Sequence, residues 1–233
     1  MNINKDLRSI LCIWPIFVLC QFTSNLSAQS ANFGTMPDIS INKRLNEVWK
    51  VNLGIENRIN HFDTNNINSN FSTNYGLTDI SFLVSRKWKL NYSFNAGYLI
   101  RFEDSQRINR FIQQFTIVDR LYRYTFSHRF VTDQTFINTD NITYRLRYRF
   151  VFERALSGLK VDTKEWYLKV GNEVLTLYED QLLDLEYRIT PSIGYAISDA
   201  SKIEFGIDTR FKSIVHNEFE FENWLTINWF LSF

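Results

Sequence analysis

Large apolar and polar residues alternate along most of this chain. Over residues 49–60, Trp49, Val51, Leu53, Ile55, Asn57 and Ile59 share one face; Lys50, Asn52, Gly54, Glu56, Arg58 and Asn60 share the other. Residues 88–102 repeat the pattern, with Trp88, Leu90, Tyr92, Phe94, Ala96, Tyr98, Ile100 and Phe102 opposing Lys89, Asn91, Ser93, Asn95 and Arg101. In residues 142–153, Ile142, Tyr144, Leu146, Tyr148, Phe150 and Phe152 oppose Thr143, Arg145, Arg147, Arg149 and Glu153. A period of two is that of a β-strand. The segments approach the ~9–11 residues that a strand needs to cross a bilayer, whereas no apolar run after residue 28 could cross as a helix.

Strands are expected at 38–45, 48–62, 75–86, 87–102, 109–119, 122–132, 141–156, 163–177, 184–198, 201–213 and 222–233. Short turns near 45–48, 86–87, 119–122 and 198–201 alternate with longer polar loops near 63–74, 103–109, 132–141, 178–184 and 213–222. Trp49, Trp88, Tyr144 and Trp166 sit near the ends of apolar faces, where a membrane interface favours amphipathic rings. The fold expected is an all-β, antiparallel up-and-down transmembrane β-barrel. Single-chain bacterial barrels are even-numbered, so twelve strands are expected, with ten as the alternative. Reversing the strand at 142–153 would put Arg145, Arg147 and Arg149 into lipid, at about 2–4 kcal/mol each at mid-depth. The aromatic face therefore points outward and the arginines inward.

The N-terminus and the composition add an address. Lys5 and Arg8 precede an apolar stretch over 10–22, and a polar region ends at Ala28, which reads as a signal peptide over 1–28 before a barrel domain at 29–233. Cys12 and Cys20 both lie in that leader. Large residues at 17–19 disfavour lipidation at Cys20, so the mature chain is expected to hold no disulfide or thiolate site. Without the leader, 26 − 2 = 24 basic and 25 − 1 = 24 acidic residues remain, and this balance argues against a nucleic-acid partner. At the other end Leu225, Ile227, Trp229, Leu231 and Phe233 alternate up to a terminal aromatic. This run resembles the signal by which outer-membrane proteins engage the barrel-assembly machinery. The expected location is the outer membrane of a Gram-negative bacterium. The expected partners are outer-membrane lipids and, during biogenesis, the assembly machinery and periplasmic chaperones.

The inward positions are rich in charge: Glu56, Arg58, Arg101, Arg129, Arg145, Arg147, Arg149, Glu153, Lys169, Glu173, Glu186, Arg188, Glu204, Asp208 and Arg210. A barrel this narrow is largely filled by side chains, so acids and bases are expected to pair across strands, with Glu173 near Arg145 and Arg147. The competing reading makes Arg145, Arg147 and Arg149 an anion-preferring constriction. An enzymatic barrel acting on outer-leaflet lipid, of phospholipase or lipid A-modifying type, would draw on His61, His128 or His216. Ser127 beside His128 points the opposite way, and Asp63 and Glu218 read as solvated loop acids. No metal-ligand spacing, phosphate loop or nucleophile elbow occurs, so neither cofactor, metal nor catalytic residue is assigned.

Asn32-Phe33-Gly34-Thr35, the stretch Asn46-Glu47-Val48-Trp49-Lys50-Val51-Asn52-Leu53 with Glu56-Asn57-Arg58, Leu146-Arg147-Tyr148-Arg149 and Gly171-Asn172-Glu173-Val174 together carry a resemblance. The mature chain is similar to an uncharacterised family of outer-membrane barrels common in Bacteroidetes, domain of unknown function 2490 (DUF2490). The resemblance implies a fold and a location and supplies no activity. The function expected is a structural or small-solute, porin-like barrel with a charged, largely filled lumen.

Overall fold

A computed structural model describes residues 30–63, 71–137, 142–215 and 219–233. They form β1 (Ser30–Arg44), β2 (Trp49–Asp63), β3 (Asn74–Lys87), β4 (Tyr92–Glu103), β5 (Gln106–Leu121), β6 (Tyr124–Ile137), β7 (Ile142–Ala155), β8 (Trp166–Glu179), β9 (Leu182–Ser198), β10 (Ser201–Lys212) and β11 (Glu220–Ser232). The eleven strands close into one barrel. The expected leader, His216 and Glu218 lie outside the described residues, as does the side chain of Asp63.

Eleven strands replace the twelve or ten expected from the even-number habit of bacterial barrels. Each hairpin reverses chain direction, so an odd count leaves the first and last strands pointing the same way. Here β1 and β11 close as a parallel pair, from Ser30 opposite Glu220 to Asn42 opposite Ser232, while every other neighbouring pair is antiparallel. The seam continues to the last residue: the Phe233 N–H donates to the Asn42 carbonyl at 2.8 Å, and the Arg44 N–H donates to the Phe233 carbonyl at 2.8 Å. β1 also begins well before residue 38. Pro37 has no N–H to offer a ladder, and it falls in a gap of the β1–β2 pairing, between Thr35 opposite Ile59 and Asp38 opposite Glu56.

Two of the expected long loops are tight turns. Asp104 and Ser105 (φ 46° and 64°) join β4 to β5, and Asp180 and Gln181 (φ 49° and 66°) join β8 to β9. Two positive φ values in succession are the type I′ hairpin geometry, which Asn-Gly or Asp-Gly fills most readily. Neither turn contains glycine, and that is why the sequence hides them. Gln181→Gly is expected to raise stability by about 1 kcal/mol by relieving a left-handed side chain, read as a higher urea midpoint of the refolded barrel. Conversely, the link at 156–165 is long although it lies at the mouth where short turns were expected.

The faces segregate as the alternation requires. Large apolar side chains stand on the outside, among them Phe82 (50 % exposed), Phe111 (50 %) and Leu146 (58 %). Outward rings also pack across strands, as Phe94 on Phe115 at 4.8 Å and Trp166 on Tyr195 at 4.8 Å. In the C-terminal strand Leu225, Ile227 and Trp229 point out, while Thr226, Asn228 and Phe230 face the lumen.

Candidate functional site

The lumen encloses a cavity of about 690 Å³ to which all eleven strands contribute side chains. Of the inward charges expected from sequence, all but Glu153 line it. Glu153 stands opposite Lys169 in the β7–β8 ladder, but the Lys169 ammonium is drawn to Glu204 at 2.8 and 2.9 Å. Glu204 also accepts a 2.9 Å hydrogen bond from the buried Tyr167 hydroxyl.

A short local device recurs in the wall. An acid two residues before an arginine shares its face of the strand, and three such pairs close into salt bridges: Glu56 with Arg58 at 2.6 Å, Glu186 with Arg188 at 2.5 Å, and Asp208 with Arg210 at 2.7 Å. Arg58 and Arg210 lie over the ring of the inward-facing Trp224, at 5.8 and 5.9 Å from its centroid. The Trp224 indole N–H donates to Glu222 at 3.0 Å, and Glu222 takes Lys212 at 2.5 Å. Across strands, Arg101 grips both carboxylate oxygens of Asp79 at 2.8 Å each, the bidentate geometry in which an arginine–carboxylate pair is strongest.

The arginine row of β7 is neutralised by a different acid from the one expected. Register places Glu173 opposite Arg149, with Arg145 and Arg147 opposite Leu177 and Leu175. The partner of both is Asp133 on β6, which is fully buried. It meets Arg145 at 2.6 Å and Arg147 at 2.8 Å, with Arg110 of β5 at 3.6 Å. Thr135, two residues on, accepts from Arg110 at 3.0 Å and from Arg145 at 3.3 Å. Glu173 instead lies 3.5 Å from Arg188. A constriction made of Arg145, Arg147 and Arg149 together is therefore not what the fold builds, because two of the three are clamped to one carboxylate.

Asp133 escaped the sequence reading because residues 132–141 look like a loop. Thr132 and Gln134 on the outward face bond to Gln113, so polar residues occupy both faces there and the alternation vanishes. Asp38, Asp79, Arg110 and Lys212 also line the cavity. Asp79 and Arg110 fell within expected strands, and continuing the inward parity would have found them.

Neither of the two described histidines enters the lumen network. His128 bonds the Tyr148 hydroxyl at 2.9 Å on the outer face. His61, near the end of β2, lies 3.1 Å from the Thr35 hydroxyl and 3.3 Å from that of Thr73, stacked on Phe71 at 5.5 Å.

A family model described as "protein of unknown function (DUF2490)" matches residues 33–219, which run from β1 to the approach of β11. The chain belongs to the DUF2490 family. No curated protein matches it. In this DUF2490 barrel the charged residues that carried the resemblance fall on lumen walls, Glu56 and Arg58 as one acid–arginine pair and Arg147, Arg149 and Glu173 beside Gly171 on the β7–β8 wall, while Trp49, Leu53, Leu146, Tyr148 and Val174 stand on the outer face. Gly171 has a local reason, since a Cβ there would collide with the Thr190 hydroxyl and press on the Arg149 guanidinium at 3.2 Å.

Proposed function

We propose that this DUF2490 chain is an outer-membrane barrel of a Gram-negative bacterium whose charged lumen admits small solutes. The observation that carries the reading is the inversion of its faces, with salt-bridged charge inside and a continuous girdle of Trp, Tyr, Phe and Leu outside. Contiguous exposed apolar surface of that extent calls for a non-aqueous cover. A closed barrel leaves no unpaired strand edge, which is what hydrocarbon demands of a spanning sheet. The C-terminal run through Phe233 and the basic–apolar N-terminus fit export and assembly at that membrane. A lumen that retains about 690 Å³ between its side chains has room for a small solute and excludes large ones.

Cell fractionation combined with planar-bilayer recording tests the proposal. The protein is expected to sediment with the outer membrane, to need detergent for extraction, and to give small conductance steps after refolding. Recovery as a folded monomer in detergent-free buffer would sink it.

The alternative of a lipid-active enzyme rests on one observation, the His61 ring set between two threonine hydroxyls on the face that carries Phe33 and Phe71. Phospholipid hydrolysis by the refolded chain that disappears in His61→Ala would favour it over the solute channel.

A further inference from the structure

One row of inward side chains crosses seven strands in register. Thr116 of β5 is followed by Arg129, Arg149, Glu173, Arg188, Arg210 and Glu222 on β6 to β11. The row contains two arginine pairs standing directly opposite each other, Arg129 with Arg149 and Arg188 with Arg210. Like charges at directly opposed positions destabilise a sheet unless something compensates them.

The two pairs are treated very differently. Arg188 is bonded to Glu186 at 2.5 Å and lies 3.5 Å from Glu173; Arg210 is bonded to Asp208 at 2.7 Å and lies 3.9 Å from Glu222. Each of these arginines has an acid two residues before it on its own strand. Arg129 has Ser127 in that place and Arg149 has Arg147. Among the described residues no carboxylate lies within 4 Å of either guanidinium. Arg149 makes a 3.3 Å hydrogen bond to the Thr190 hydroxyl, stretched over Gly171. The carboxylate whose charge Arg129 feels, Glu173, is held by Arg188. Lys50, inward-facing on β2, adds a further positive charge that repels Arg129. Arg147 presents a buried Nε with no hydrogen-bond partner among the described residues.

We propose that Arg129 and Arg149 form a binding station for a small oxyanion, a phosphoryl or carboxylate group, inside the lumen. Both side chains line the cavity near the middle of their strands. The guanidinium fork matches the two-oxygen edge of phosphate and carboxylate alike. A ligand bearing such a group supplies the charge that Glu186 and Asp208 supply to the other pair. Across the lumen Asp38 lies by Glu56 and Glu204, carboxyl groups that offer an oxyanion no partner, which leaves the arginine wall as its resting place.

The test uses the refolded full chain in detergent micelles, so it stands apart from whether the barrel conducts. Inorganic phosphate and acetate are titrated separately by calorimetry and by thermal unfolding, against a chloride background. Wild type is expected to bind at least one of them and to melt higher in its presence; which one distinguishes a phosphoryl from a carboxylate ligand. Arg129→Gln and Arg149→Gln are each expected to weaken binding at least tenfold, Arg149→Lys by less, and Lys160→Gln, on the exposed link at 156–165, not at all. In buffer free of both anions, Arg129→Gln is expected to be at least as stable as wild type, because it removes an uncompensated repulsion. Equal anion binding by wild type and the Arg129→Gln/Arg149→Gln double variant, or a clear loss of stability in Arg129→Gln without anion, would overturn the proposal.

Discussion

Asp133→Asn is expected to lower the unfolding free energy of the barrel by about 3–5 kcal/mol, the penalty for breaking a buried ion pair by removing one partner. The magnitude follows from how many groups depend on this carboxylate. Arg145 and Arg147 both end on it, at 2.6 and 2.8 Å, and Arg110 stands 3.6 Å away. Asparagine keeps the volume and one acceptor while removing the charge, which leaves three guanidinium groups of β5 and β7 crowded around β6 with no carboxylate between them. Urea unfolding of protein refolded into lipid vesicles, followed by tryptophan fluorescence, reads the loss. Arg145→Gln added to Asp133→Asn should recover part of it, since the double variant returns the cluster to its wild-type net charge. Full stability in the single variant would mean that the arginines find other partners.

The second large effect concerns the outer face. Val174→Arg, near the middle of β8 on a side chain 42 % exposed, is expected to destabilise the vesicle-inserted barrel by about 2–4 kcal/mol. Tyr178→Arg, on the same face but close to the mouth, should cost about 0–1 kcal/mol, because the penalty falls toward the interface. A depth-dependent cost is the mark of hydrocarbon. A water-facing barrel would show changes of about 0.5 kcal/mol or less at both positions, so the same urea titration on the two variants tests the membrane assignment.

Strands were legible in this chain wherever one face is apolar and the other charged, as along 49–60 and 142–153, because burial on one side imposes the period. Legibility ended where that contrast ends. In β1 the inward Ser30, Asn32, Gly34 and Met36 face outward Ala31, Phe33, Thr35 and Pro37, a contrast too weak to read as a strand. At the far end of β6 the outward Thr132 and Gln134 are as polar as the inward Asp133. Which acid meets which arginine depended on register, and register depends on turns. Two I′ turns without glycine and the long link at 156–165 could not be sized from residue types alone. Facing positions were therefore readable, whereas partnerships such as Asp133 with Arg145 and Arg147 needed the folded ladder.

The parallel seam between β1 and β11 has a consequence for the two ends of the sheet. Ser30 lies at the mouth where β2 hands over to β3, and Phe233 lies at the opposite one. In an even-stranded barrel the two termini share a rim, so a few residues can join them and new ends can be cut elsewhere. Here a circular permutation would need a linker running the full height of the wall, about 40 Å at ~3.3 Å per residue. For the same reason, reporters fused before Ser30 and after Phe233 emerge on opposite sides of whatever the barrel spans, and one chain can carry a marker for each side.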